Sequence, residues 1–415
     1  MSVIVRPHSL RGTVQAPPSK SYAHRYLIAA YLSGRPCTIV GAGDSRDIRA
    51  TLGALGALGL RYRREGDDVA VLGVEHPNKA TVYCHESGST LRFLLPVAAA
   101  LGIPSAFTAA AGLTARPVEG LVTALNAHGA AIDGLRVSGR LTAGEYVVDG
   151  TVSSQYITGL LFALPLLDGD SRVVVSGGMV SKAYVDVTLD VLSVAGVSVE
   201  KTAYGFSVRG RQTYRLPDAV NVEGDWSAAA FMLAAGALGG PVTVANLDPC
   251  SLQGDAAILS VLDRLGAHVR VSDRAVTVSR GALRAFSVDV DEIPDLAQII
   301  AVLAAYAEGD SVLSGVERLR LKESDRLAAI TDMFAASGVR CRLVGRTLVV
   351  TGGTPAGGAF EGGGDHRTVM SACILAAYAA GDSRVSTPSA VGKSYPDFFK
   401  DFSILGGQTD GDIQG

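Results

Sequence analysis

The sequence predicts an α/β (α+β) protein built from two similar domains. Three observations lead there. Amphipathic helical segments end at glycine six times, at Gly59, Gly129, Gly196, Gly266, Gly338 and Gly406, and successive members stand roughly 67 to 72 residues apart. That period suits a supersecondary unit and is longer than the common solenoid repeats. Glycine supplies the left-handed residue that closes a helix. After four of these glycines the chain reads strand, turn, strand, as in Ala267–Val271, Ser272–Arg274 and Ala275–Val278, a hairpin pattern. Earlier in each unit an apolar strand leads into a helix, so every unit mixes both element types. Six units form two groups of three, hence domains of about 200 residues.

The elements follow in order. Met1–Pro7 reads as a short strand. Pro17-Pro18 stops what precedes, and Ser19-Lys20-Ser21 opens an apolar helix. Phe93–Ala115 carries no charge, yet Pro96 and Pro104 break it into helix, turn and strand, not a membrane span. Ala228–Ala245 is divided in the same way at Gly239-Gly240-Pro241. The domain break falls near Arg215–Val222, after the third hairpin. The first strand is assigned to the second domain, giving residues 1–18 plus 223–415 and residues 19–222, with hinges near 17–20 and 216–224.

Composition narrows the function. Of 415 residues, 48% are hydrophobic and 19% charged, which excludes a disordered chain. The net charge of −3 argues against general nucleic-acid binding. Five dispersed cysteines without a CxxC pair read as reduced thiols, mostly buried, not as a disulfide frame or zinc site. No signal or transit peptide is legible, so a cytoplasmic location is expected.

Because charges are sparse, clusters beside serine or glycine stand out. Ser19-Lys20-Ser21 with Arg25 places hydroxyls and cations where helix N–H groups lack partners, a natural anion site. An ordinary serine cap explains the same residues equally well. Glu86-Ser87-Gly88-Ser89-Thr90-Leu91-Arg92 is a small-residue turn into a helix. Arg116-Pro117 sets a bidentate donor before a helix with proline at its first position. Ser153-Ser154-Gln155 and Ser181-Lys182 open further helices. Pro294-Asp295 reads as an N-cap carboxylate. Lys322 and Arg326 are spaced to share a helix face beside Glu323. Gly364-Asp365-His366-Arg367 and Gly392-Lys393-Ser394 read as polar surface turns. The latter imitates a Walker A ending but lacks its first glycine, since Thr387 stands there. Gly41-Ala42-Gly43 lacks the third glycine of a dinucleotide fingerprint.

Taken in order, these islands, with Glu223-Gly224-Asp225 and Tyr395-Pro396-Asp397-Phe398-Phe399, resemble the 5-enolpyruvylshikimate-3-phosphate synthase family over nearly the whole chain. The resemblance implies two domains of three βαβαββ repeats each, an inside-out α/β barrel with a cleft between them. It implies transfer of the enolpyruvyl group of phosphoenolpyruvate to the 5-hydroxyl of shikimate 3-phosphate, with release of phosphate and no metal or organic cofactor. By the same resemblance Lys20, Gly88, Arg116, Gln155, Arg326, Arg367 and Lys393 hold phosphoenolpyruvate. Lys20, Ser21, Arg25, Ser153, Ser154, Gln155, Ser181, Asp295 and Lys322 hold shikimate 3-phosphate. Asp295 is the base, Glu323 the acid, and Lys20 assists. No nucleic-acid or membrane partner is expected, and the chain is expected to act as a monomer.

Three positions depart from the family pattern: His24 for asparagine, Gly112 for arginine, and Arg318 for asparagine. The rival cell-wall transferase, which acts on UDP-N-acetylglucosamine, uses a cysteine in the loop that is Thr108–Ala115 here, and this loop has none. A non-catalytic anion-binding protein would be expected to lack Asp295 or Glu323.

Overall fold

Each of the six repeat glycines takes a positive φ, between 72° and 104°. Gly59 shows why no other residue serves: a Cβ there would lie 2.1 Å from the Glu75 carbonyl oxygen. In the computed structural model, which describes residues 1–411 and 413, the chain divides into Met1–Pro17 with Glu223–Gly415, and Pro18–Val222. Among the described residues the strands form six four-stranded sheets, three in each unit. All six follow one pattern, a parallel pair extended by two antiparallel strands.

In the unit Pro18–Val222, Ala219–Asn221 lies parallel to Cys37–Val40, followed by Asp68–Val74 and Leu60–Glu65. Ala80–Tyr83 lies parallel to Ser105–Thr108, followed by Arg136–Gly139 and Ala130–Asp133. Glu145–Asp149 lies parallel to Ser171–Ser176, followed by Gly205–Val208 and Val199–Thr202.

The other unit repeats this arrangement. Gly12–Gln15 pairs in parallel with Val242–Ala245, and Ser287–Asp289 with Asp310–Ser314. In the third sheet Ala359–Phe360 runs parallel to Ser383–Ser386, and Ser2–Arg6 fits between Ser383–Ser386 and Gln408–Gly411. The first strand therefore completes the last sheet.

Two kinds of helix alternate. Lys20–Ser33, Gly88–Leu101 and Ser154–Ala163 are buried almost all round in one unit. Trp226–Leu238, Ala297–Ala305 and His366–Ala377 are their counterparts in the other. A helix that is apolar on every side belongs at the centre of a core. The second kind, such as Ile258–Leu265, buries one face and ends at a repeat glycine. None of the described helices is long and apolar enough to cross a membrane. The uncharged stretch resolves into the end of Gly88–Leu101 and the strand Ser105–Thr108. Pro96 lacks the N–H that would bond the Arg92 carbonyl. Gly159 faces that carbonyl, where a Cβ would lie 2.3 Å from it, so the helix Ser154–Ala163 packs closely there.

Candidate active site

Burying a helix all round leaves its first N–H groups to be satisfied at one end. That end is where this sequence spends its polar residues. Ser19 caps Lys20–Ser33, Ser87 caps Gly88–Leu101 and Ser153 caps Ser154–Ala163, each by accepting a backbone N–H. In the other unit Asp225 and Asp365 do the same for Trp226–Leu238 and His366–Ala377.

Gly88 brings together several expected residues of its unit. A Cβ on it would lie 2.6 Å from Arg92 Nη1, and 3.3 Å from both Arg116 Nη1 and Gln155 Oε1. The backbone is bare where a guanidinium pair and an amide converge. Arg92 holds the arrangement: Nη1 donates to Gln155 Oε1 (2.9 Å), while Nε and Nη2 donate to the Pro117 carbonyl. Gln155 Nε2 donates in turn to Ser89 Oγ. Lys20 Nζ lies 2.9 Å from Asp47 Oδ2, a carboxylate in the first turn of Arg46–Ala57. Arg25 is buried, donating to Thr188 Oγ1 and to the carbonyls of Ser21 and Tyr184, with its guanidinium over Phe93. Burial brings its pKa down to about 10, which leaves it charged at neutral pH. Ser181 precedes the helix Lys182–Val194 at a φ of 54° and does not cap it with its side chain.

In the unit containing residues 223–415, one cluster gathers most of the expected groups. Arg326 Nη1 donates to Asp295 Oδ1 (2.8 Å), Nη2 to Glu323 Oε2 (2.8 Å) and Nε to Asp365 Oδ2 (2.7 Å). Arg367 grips the other Asp295 oxygen at 3.1 Å, and Lys322 Nζ stands 3.6 Å from Asp295 Oδ1. Burial alone would raise the Asp295 pKa, but Arg367, Lys322 and Arg326 outweigh it and hold the carboxyl well below its ordinary range. Burial lowers the Lys322 pKa, with Asp295 opposing. Burial and the negative charge of Asp295 raise nearby Asp255 to about 6.

Several expectations change. Lys322 and Arg326 do not share a helix: Lys322 follows the 3-10 turn Val316–Leu321, and Arg326 begins Arg326–Ser337 behind its cap Asp325. They converge on Asp295 because the intervening chain turns. Asp295 is not the N-cap residue of Ala297–Ala305, a place Leu296 takes, and its oxygens are gripped by Arg326 and Arg367. Pro117 is not at a first helical position, because Val118 intervenes before Glu119–Asn126. Asp365, His366, Arg367 and Lys393 are buried, not on surface turns. Arg318, the asparagine replacement, donates to the Asp291 carbonyl. Sequence reasoning missed Asp47, Arg92 and Asp365 as functional partners. Asp365 and Arg92 stood inside recognised motifs without a role, whereas nothing local to Asp47 points at Lys20.

Each unit thus gathers groups suited to small, multiply charged anions: bare backbone beside two guanidinium groups in one, a carboxylate ringed by cations in the other. Comparison with known proteins gives the particular family. The family model for EPSP synthase (3-phosphoshikimate 1-carboxyvinyltransferase) matches residues 4–402. A 3-phosphoshikimate 1-carboxyvinyltransferase of Clostridium kluyveri is 38% identical over 418 residues, covering 98% of each chain. One from Aeropyrum pernix is 40% identical over 416 residues, covering 98% of this chain and 96% of its own. The fold resembles that of an EPSP synthase from Acinetobacter baumannii, with a TM-score of 0.84 at 22% identity over 99% of this chain and 100% of that one. It also resembles the enolpyruvyl transferase NikO from Streptomyces tendae, with a TM-score of 0.79 at 18% identity over 99% and 98%. The chain belongs to the EPSP synthase family.

Proposed function

We propose that this chain transfers the enolpyruvyl group of phosphoenolpyruvate to the 5-hydroxyl of shikimate 3-phosphate in the cytoplasm, as a monomer, in the pathway to chorismate and aromatic amino acids. The observation that carries this is the cluster in which Arg326, Arg367 and Lys322 surround Asp295 while Arg326 also holds Glu323. Each substrate brings a phosphate and a carboxylate, so several cations must converge on them. Lys20, Gly88, Arg116, Gln155, Arg326, Arg367 and Lys393 meet phosphoenolpyruvate. Ser21, Arg25, Ser153, Ser154, Ser181 and Lys322 meet shikimate 3-phosphate, with Lys20 and Gln155 near both. The chain crossings at Pro17–Pro18 and Val222–Glu223 serve as hinges on this reading.

The reaction runs in two steps. Asp295 takes the proton of the 5-hydroxyl as its oxygen attacks C2 of phosphoenolpyruvate, and Glu323 gives a proton to C3. The resulting tetrahedral intermediate loses a proton from C3 as the C2–O bond to phosphate breaks, leaving the enol ether and free phosphate. Without substrate the cations make Asp295 a weak base. Bound phosphate and carboxylate groups would offset those cations, so the substrate itself raises the basicity of Asp295. The test is phosphate release. Release that requires both phosphoenolpyruvate and shikimate 3-phosphate supports the proposal. Release with UDP-N-acetylglucosamine as acceptor, or with neither acceptor, overturns it.

A further inference from the structure

His24, which the family pattern does not explain, has a definite place in the structure. It lies one turn beyond Lys20 on the helix Lys20–Ser33, as Thr51 lies one turn beyond Asp47 on Arg46–Ala57. Residues four apart share a helix face. The two helices are therefore joined by two successive rungs, Lys20–Asp47 at 2.9 Å and His24 Nδ1–Thr51 Oγ1 at 2.7 Å. The second rung continues to a third helix. Thr51 Oγ1 lies 2.6 Å from Thr90 Oγ1, and Thr90 Oγ1 donates to Ser87 Oγ at 2.7 Å. Ser87 Oγ also accepts the Thr90 backbone N–H. All four side chains are buried.

Their hydrogens can be counted. A hydroxyl donates one hydrogen. Thr90 gives its hydrogen to Ser87 and so accepts from Thr51. Thr51, its hydrogen spent, accepts from His24. The proton of the imidazole is thereby assigned to Nδ1. The relay ends on the cap of the helix whose first residue is Gly88.

We propose that His24 is a positioning residue for the phosphoenolpyruvate pocket, fixing the Gly88 helix end against Lys20 through Thr51, Thr90 and Ser87. The proposal rests on the function proposed above. A buried hydrogen bond or a helix cap is worth enough that losing one shifts a binding constant about tenfold. His24→Ala, Thr51→Val and Thr90→Val should each raise KM for phosphoenolpyruvate about tenfold, leaving kcat and KM for shikimate 3-phosphate within about twofold. The double variant H24A/T51V should be no worse than either single one, because the relay acts as a unit. His24→Asn, whose amide offers a donor at the same distance from the backbone, should recover most of the loss. An unchanged KM for phosphoenolpyruvate, or an equal rise for both substrates accompanied by a matching fall in Tm, overturns the proposal. Nitrogen-15 spectra of the unmutated protein give a measurement independent of turnover: the Nδ1–H tautomer at His24 is expected, and an Nε2–H tautomer refutes the relay. If the unmutated chain shows no turnover, the functional reading fails, and with it the effect on phosphoenolpyruvate, while the tautomer still decides the relay.

Discussion

Asp365→Asn is the sharpest test of how the carboxylate–cation cluster works. Asp365 is fully buried and accepts from four donors: Arg326 Nε at 2.7 Å, Arg326 Nη2 at 3.4 Å, Ser324 Oγ at 3.1 Å and the Arg367 backbone N–H at 2.9 Å. Asparagine keeps the shape and the helix cap, since Asn and Asp cap about equally well. It removes the charge and turns an N–H₂ or a weaker acceptor toward Arg326. Taking one partner from a buried hydrogen-bonded charge pair costs about 3 kcal/mol or more, and about 3 kcal/mol corresponds to about 150-fold in rate. On the proposed function Arg326 meets phosphoenolpyruvate, so kcat/KM for that substrate should fall about 150-fold, with KM for shikimate 3-phosphate nearly unchanged. Ser324→Ala is the internal scale. It removes one hydrogen bond to the same oxygen, about 1 kcal/mol, and should cost about fivefold. Phosphate release measured at varied phosphoenolpyruvate concentration distinguishes the two. If Asp365→Asn costs no more than Ser324→Ala, Asp365 does not hold Arg326 for catalysis.

Three further outcomes are expected. Gly88→Ala places a methyl 2.6 Å from Arg92 Nη1, so it should raise KM for phosphoenolpyruvate and weaken inhibition by glyphosate, which is expected to compete at that site; inhibition independent of phosphoenolpyruvate concentration would contradict this. Arg25→Lys loses the planar fork that reaches Thr188, Ser21 and Tyr184, and should raise KM for shikimate 3-phosphate about tenfold while sparing phosphoenolpyruvate. Asp255 has a folded pKa raised to about 6, above its unfolded value, so its contribution to stability is present at acid pH and is lost as pH rises from about 4 to about 6. Urea unfolding of Asp255→Asn across that range should lack this fall, and identical slopes in the two proteins would remove the assignment.

The repeat was legible because a left-handed helix end demands glycine, and six such ends recur at even spacing. The candidate residues were legible as types: a core helix must finish in polar groups, and several of the islands stand at those ends. Their partnerships were not. Asp47 reaches Lys20 across 27 positions, and Asp365 reaches Arg326 across 39. Local spacing carries no record of such pairs. Lys322 and Arg326 show the opposite error, where helical spacing was present without a helix. Asp365, His366, Arg367 and Lys393 looked like surface residues because charge ordinarily means exposure. Here buried carboxylates and guanidinium groups neutralise one another, as Asp365 and Arg326 do.

The strand Ser2–Arg6 has a consequence for how the chain is made. It lies between Ser383–Ser386 and Gln408–Gly411, its contact with Arg384 spanning 382 residues. During synthesis this apolar segment emerges long before Ser383–Ser386 and Gln408–Gly411, the strands it pairs with. Residues 18–222, by contrast, contain every strand of their own three sheets. They can therefore close before Gln408–Gly411 is made, whereas their companion unit cannot finish until that strand has emerged. The early strand is thus the segment most exposed to mispairing in a nascent chain. Arg6, the strand's last residue, and the segment 7–17 that follows it, bounded by Pro7 and Pro17, interrupt the apolar run on that side.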